Sequence, residues 1–364
     1  MKVLVLVQAY PDAQNKKLMY VHVRNQYYRK NGIDVTVLNF GIKQSYLYEG
    51  INVISEADFE KKEAYDILIC HAPNIRNHYR FLRKNGSLFP RFVFFFHGHE
   101  IMYLSKEYPT NYSYQKEATL LRTKFQDIYD IVKCRIWRGY YLKVREKSDY
   151  IFVSDYLKKC FLKYLHIDKA SIEKNSHIIN NSVGEVFEEN DYCRENPVAY
   201  DFITIRSNFD GSTYCIDLVN KWAGENPQFK FLLIGKGDYF LYNQKASNID
   251  LLEKHLTHDE MMNFLNKSKV ALMPTRHDTQ GVMSCEMATY GIPLITSKID
   301  ICKEIFSEYS NVILISNDAT NEEFLSTVQK AFALASDVKE KLYTAKDTLE
   351  KELKLLNMRY ESQI

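Results

Sequence analysis

Ala271-Leu-Met-Pro-Thr-Arg-His-Asp278-Thr-Gln-Gly281-Val-Met-Ser-Cys-Glu286-Met-Ala-Thr-Tyr-Gly291-Ile-Pro293-Leu-Ile-Thr296 reads as a strand, a loop, a helix, a glycine stop and a proline ahead of the next strand. The loop reaches the helix through Gly281, and the first turn of any helix offers N–H groups that its own backbone does not pair. Those donors and the helix dipole favour a phosphate at that end. Asp278 falls at the loop tip and Glu286 about one turn inside the helix. Carboxylates beside a phosphate site call for a ligand with hydroxyls to donate to them, and a ribose or a sugar supplies these.

The same alternation extends outward through the chain. Continuously apolar runs predict strands at 2–7, 34–39, 66–71, 91–97, 150–154 and 177–180 in the first half. In the second half they fall at 201–206, 230–235, 249–252, 270–274, 293–296 and 311–315. Strands apolar on both faces, separated by helical patterns, imply parallel sheets covered by helices on either side. The pattern restarts after the polar run Glu188-Glu189-Asn190-Asp191-Tyr192-Cys193-Arg194-Glu195-Asn196-Pro197, the best linker candidate. The expected domains are therefore 1–188 and 189–335, two Rossmann-like doubly wound units in tandem, followed by a helical tail over 336–364.

A length of 364 residues suits two such domains, and 46% hydrophobic with 26% charged residues suits a globular chain. No apolar stretch is long enough for a membrane-spanning helix, and the short N-terminal run lacks a leader's cleavage site. Seven scattered cysteines without a C-x-x-C pair disfavour a zinc ribbon and a disulfide scaffold and fit a reducing cytoplasm. The net charge of +2 hides an asymmetry: residues 1–180 hold 29 Lys+Arg against 18 Asp+Glu, and the remainder 19 against 28. Lys133, Arg135, Arg138, Lys143, Arg145 and Lys147 interleave with Trp137, Tyr140 and Tyr141. That run reads either as a solvated helix face over core aromatics or as a surface for anionic lipid headgroups. No nucleic-acid motif accompanies it.

In this detail the chain resembles the family 4 retaining glycosyltransferases of GT-B fold, the glycosyl transferases group 1. Asp278-x7-Glu286, Gly281, Ala288 and Gly291-Ile-Pro293 stand where that family carries Glu-x7-Glu with its glycine, alanine and Gly-x-Pro. Asp149 to Ser154, His177 to Val183 with Phe187, Phe231 to Gly237 and Thr257 to Pro274 resemble its other signatures, in the family's order. The family's lysine after Arg206 has no counterpart in Gly211-Ser-Thr-Tyr214-Cys-Ile-Asp217. Either Tyr214 or Ser212 substitutes as a neutral donor, or the helix end at Gly281 bears more of the charge. The first β-α loop, Gln8 to Lys17, lacks the family's Gly-Gly pair, while His22-Val23 matches its "H-V".

The resemblance implies two domains facing a central cleft and a metal-free, cofactor-free transfer of a hexose. The donor would be a nucleotide-sugar, UDP-hexose favoured, and the acceptor a glycan or a lipid-linked saccharide in cell-surface polysaccharide synthesis. By the same resemblance Arg206, Gly235, Thr279, Gln280, Gly281, Val282 and Glu286 bind the donor, and His97, Asp278 and Glu286 serve catalysis. His99 stands two residues after His97, and either could be the functional one. His99, Arg135, Arg138 and Lys143 are the candidates for the acceptor or for an anionic membrane at its inner face. The alternative is a non-catalytic GT-B partner subunit that stabilises an active glycosyltransferase.

Overall fold

The computed structural model describes residues 1–12, 18–118, 120–334 and 339–361. The chain forms two compact units. The first comprises Met1–Leu104, Asp127–Ser182 and the chain from Lys346; the second comprises Ser105–Gln126 and Val183–Ala345.

The first unit is built on β1 (Lys2–Val7), β2 (Asp34–Asn39), β3 (Tyr46–Tyr48), β4 (Ile51–Ile54), β5 (Ile67–His71), β6 (Arg91–Phe96), β7 (Ser148–Phe152) and β8 (Ser176–Ile178). They join in the order β3-β4-β2-β1-β5-β6-β7-β8. Val5 at the centre faces Val37 on one side and Ile69 on the other, both in parallel register. The first unit's sheet departs from the expected all-parallel pattern at one edge. Tyr46–Tyr48 runs antiparallel to Ile51–Ile54 through a tight hairpin. Its turn residues Glu49 and Gly50 both have positive φ, 46° and 79°, the conformation a two-residue hairpin turn requires. Phe94, Phe96, Trp137, Tyr141, Tyr150 and Phe161 are all fully buried and pack ring against ring on one face.

The helix Ala345–Glu361 enters the first unit from Lys346 and docks on the helix Met19–Lys30. Glu352 and Arg24 are fully buried there, with Arg24 Nε 2.9 Å from the carboxylate. The Tyr28 hydroxyl donates to the other carboxylate oxygen at 2.5 Å, and Arg24 also donates to Asn181 at 3.0 Å. A buried ion pair is tolerated only with such additional hydrogen bonds.

The second unit holds β9 (Tyr200–Ile205), β10 (Phe231–Ile234), β11 (Ile249–Leu252), β12 (Ser268–Met273), β13 (Leu294–Ser297) and β14 (Val312–Ile315), all parallel, in the order β11-β10-β9-β12-β13-β14. Chain direction across this sheet reverses between β9 and β12, where ligands of open α/β sheets bind. The core includes Trp222 stacked on Phe324 with centroids 4.9 Å apart.

Three stretches fall elsewhere than the domain limits at 188/189 and 335/336 would put them: residues 105–126, 183–188 and 339–345 all belong to the second unit. The linker-like run 188–197 belongs to the second unit because Tyr192 N donates to Tyr290 O and its hydroxyl to Ser268 O. Residues 105–126 also join the second unit. Tyr112 and Tyr114 donate their hydroxyls to Asp217 at 3.0 Å and Asp210 at 2.7 Å, and Tyr114 stacks on Tyr242 at 4.5 Å. Of the tail read as helical from Ser336, residues 336–338 and 362–364 lie outside the described residues, and the helix begins only at Ala345.

Candidate active site

The candidate site sits at the switch point of the second unit. Arg206 directly follows β9, and the loop from Pro274 to Gly281 directly follows β12. Gly281 starts the helix Val282–Tyr290 with φ +76°, and the helix has no side-chain cap and no acid in its first turn. The left-handed backbone at Gly281 suits glycine. A Cβ there would also lie 3.1 Å from an Asp278 carboxylate oxygen.

Asp278 is held by its own loop, accepting from Thr279 N at 2.7 Å and Gln280 N at 3.2 Å. Arg206 is buried, donates through Nη2 to Pro274 O at 2.7 Å, and lies 5.1 Å from the centroid of the Tyr214 ring. Its Nε is buried without a hydrogen-bond partner. Burial lowers the arginine's pKa, and the nearby Asp278 opposes that shift. A buried guanidinium with an unanswered donor calls for an anion.

Arg206, Ser207, Tyr214, Asp278, Gly281, Val282, Met283 and Ser284 enclose a cavity of about 180 Å³. Sites that enclose a whole small molecule measure ~300–1,000 Å³, so this one fits the charged middle of a ligand. The structure thus brings together Arg206, Asp278, Gly281 and Val282. Of the two neutral donors weighed at the missing lysine, Tyr214 faces the cavity. Ser212 is buried, and its carbonyl accepts from Arg276.

The other sequence-derived donor residues stand around this cavity rather than in its lining. Thr279 and Gln280 use their backbone N–H groups to fix Asp278, and the Gln280 side chain is buried. Gly235, with φ +156°, lets β9 and β10 close up: a Cβ there would lie 1.9 Å from Arg206 O. Glu286 lies further along the helix, half-buried, and accepts from Gly184 N at 3.3 Å. Burial pushes its carboxyl up to about 7, the hydrogen bond from Gly184 opposing.

Sequence reasoning missed Ser207, Met283 and Ser284 in the cavity wall and Arg276 behind it. Arg276 pairs with Asp217 through two bonds, at 2.9 and 2.6 Å. It therefore braces the loop that carries Asp278. The signal was present in Asp217, which ends the stretch where the family lysine is missing.

In the first unit His97 follows β6, half-buried, with Nε2 3.1 Å from Nδ1 of the buried His71. Burial holds both imidazoles well below the ordinary histidine range, so both are neutral at pH 7. The buried Glu100 carboxylate accepts from His97 N and Gly98 N and shapes this strand end. The His99 side chain points outward, while its carbonyl accepts from Lys133 at 2.8 Å.

The basic run of the long helix divides. Arg135, Arg138 and Lys143 are exposed. Lys133 is buried on Asp130, and Lys147 donates to the carbonyls of Gly86 and Phe89, so neither belongs to a basic surface. Trp137 and Tyr141 are core residues. Among the described residues no helix is long and apolar enough to cross a membrane.

Residues 203–333 match the family model described as glycosyl transferases group 1. An O-antigen biosynthesis glycosyltransferase of Escherichia coli, WclY, is 27% identical over 124 residues, 32% of this chain and 34% of that protein. An uncharacterised protein of the Klebsiella pneumoniae cps region is 22% identical over 195 residues, 49% of this chain and 54% of that protein. This chain thus matches about half or less of the length of these curated relatives. Sucrose-phosphate synthase of Thermosynechococcus elongatus superimposes with a TM-score of 0.69 at 10% identity, covering 99% of both chains. Anabaena HepE in complex with UDP and glucose superimposes with a TM-score of 0.64 at 12% identity, over 98% of this chain and all of that one.

Proposed function

Because residues 203–333 match the family model described as glycosyl transferases group 1 and the chain carries the GT-B fold, we propose that it moves a hexose from a nucleotide-sugar to a saccharide acceptor with retention of configuration. The observation that carries this reading is the convergence, at one switch point, of the unanswered Arg206 Nε, the uncapped helix at Gly281 and the Asp278 carboxylate. UDP-hexose is the favoured donor, a choice supported by the UDP and glucose bound to the similar HepE fold. The acceptor is a glycan or a lipid-linked saccharide of a cell-surface polysaccharide, a class supported by WclY.

In this mechanism the diphosphate occupies the cavity. Arg206 and the first-turn N–H groups of the helix stabilise the charge that grows on it as the anomeric bond breaks. Asp278 accepts from sugar hydroxyls and stabilises positive charge at the anomeric carbon. Glu286 accepts from the ribose hydroxyls in place of Gly184 N. The leaving diphosphate takes the acceptor proton, so the transfer needs neither a protein base nor a metal. Neutral His97 is the first unit's candidate for a sugar hydroxyl.

Isothermal titration with UDP, GDP and their hexose conjugates tests the reading. Binding of UDP and one conjugate, with free UDP appearing when acceptor is added, is the expected result. No nucleotide binding by folded protein would overturn it and favour the non-catalytic partner subunit.

A further inference from the structure

From Asp127 to Val144 the helix Leu120–Val144 buries one side and exposes the other. Asp130, Lys133, Cys134, Trp137, Tyr141 and Val144 are buried and recur every three or four residues, which defines the inward side. On the outward side Ile128 is 61% exposed, Ile131 42% and Val132 48%, all within about one turn. Arg135, Arg138 and Lys143 continue that side and are exposed. Gly139 lies among them, and a Cβ there would meet nothing within 4 Å. Asp130 is turned inward onto Lys133 at 2.7 Å and Asp127 is half-buried. From Asp127 to Val144 every exposed charge is therefore a cation.

We propose that this face docks on a bilayer rich in anionic headgroups. Ile128, Ile131 and Val132 lose their contact with water in the acyl boundary, and the exposed Tyr129 beside them suits the headgroup level. Arg135, Arg138 and Lys143 answer the lipid phosphates. Arg138 donates through Nε to His166 O at 3.2 Å, which anchors that side chain at the surface. A second copy of the chain is the rival occupant. A two-fold contact would bring these three cations up to the same set on the second copy, with no exposed carboxylate between Asp127 and Val144 of the helix to pair them. An anionic bilayer has no such cost. The inference goes beyond the donor chemistry and does not depend on it.

Co-sedimentation of the full chain with phosphatidylcholine vesicles containing one-third phosphatidylglycerol tests it, with UDP binding measured on the same preparations. Binding is expected at about 0.05 M salt and should weaken steeply at about 0.5 M. Ile128→Asp with Val132→Asp should weaken it at least about 10-fold, and Arg135→Gln with Arg138→Gln and Lys143→Gln at least about 30-fold. Both sets alter surface residues and should leave the melting temperature and UDP binding unchanged. Failure of the unaltered protein to bind anionic vesicles, or indifference to both sets, would overturn the proposal. So would a dimer in solution that Ile128→Asp separates, which would make the face a subunit contact.

Discussion

Buried charged groups near the carboxyl ends of the strands are used in opposite ways in the two units. In the first unit the buried Glu100 carboxylate accepts from His97 N and Gly98 N. Beside them Arg24, Glu352, Tyr28 and Asn181 close a network of their own, with the Arg24 guanidinium 5.5 Å from the centre of the Phe95 ring. In the second unit Arg206 keeps one buried donor unanswered, and the helix behind Gly281 has no cap. Charge that is satisfied internally stabilises a fold; charge left unsatisfied beside a cavity is available to a ligand. Mutations in the first network should therefore be read in stability, and mutations at the switch point in affinity and turnover.

The sharpest break of that contrast is Glu352→Ala. It strands the buried Arg24 guanidinium and should cost about 3–5 kcal/mol in chemical denaturation, while any folded fraction still binds UDP. Arg206→Ala should do the reverse. Turnover should fall at least about 100-fold in a sugar-transfer assay, the scale for losing one preorganised charge donor, with little change in melting temperature. A near-normal rate would mean that other groups hold the diphosphate.

Glu286→Gln joins the two readouts in one residue. The folded carboxyl titrates near 7 against an ordinary 4.5, so between those values the folded protein keeps a proton that the unfolded chain has lost. Stability should therefore fall as pH rises from about 4.5 through about 7. Glutamine removes that loss: the ligand-free variant should gain about 1–3 kcal/mol at pH 8 and nothing near pH 4. Its UDP affinity should fall about 10-fold, the scale of a hydrogen bond to a charged acceptor. Equal stability at pH 8 would show that the carboxylate is not strained in the empty site. The smallest expected effect is Tyr214→Phe. The ring stays under Arg206 and only the hydroxyl goes, so turnover should drop about 3- to 10-fold by the usual worth of one neutral hydrogen bond. No change at all would leave the missing lysine's role to the helix terminus.

Much of the architecture is visible in local pattern. Runs such as Val3 to Val7 and Val270 to Met273 are apolar at every position because helices cover both faces of a parallel strand. The hairpin of β3 and β4 escaped because each arm is only three or four residues long, and its cue was Gly50 at a left-handed turn position. Arg206, Asp278 and Gly281 could be singled out because a glycine-led helix start beside acids is a short-range signal.

What the sequence could not rank is which charges are free. Lys133 and Arg135 are two residues apart, yet one is buried on Asp130 and the other faces water. Arg276 and Arg206 both flank the Asp278 loop. The first is answered by Asp217 at a separation of 59 residues, while the second is left with an empty Nε. The sequence alone determined the parallel strands of both sheets and the glycine-led helix start at Gly281, because each is written in residues close together along the chain. Only the tertiary structure decided which cations are neutralised and which keep an unpaired donor, because the partners that neutralise them arrive from distant elements when the sheets assemble.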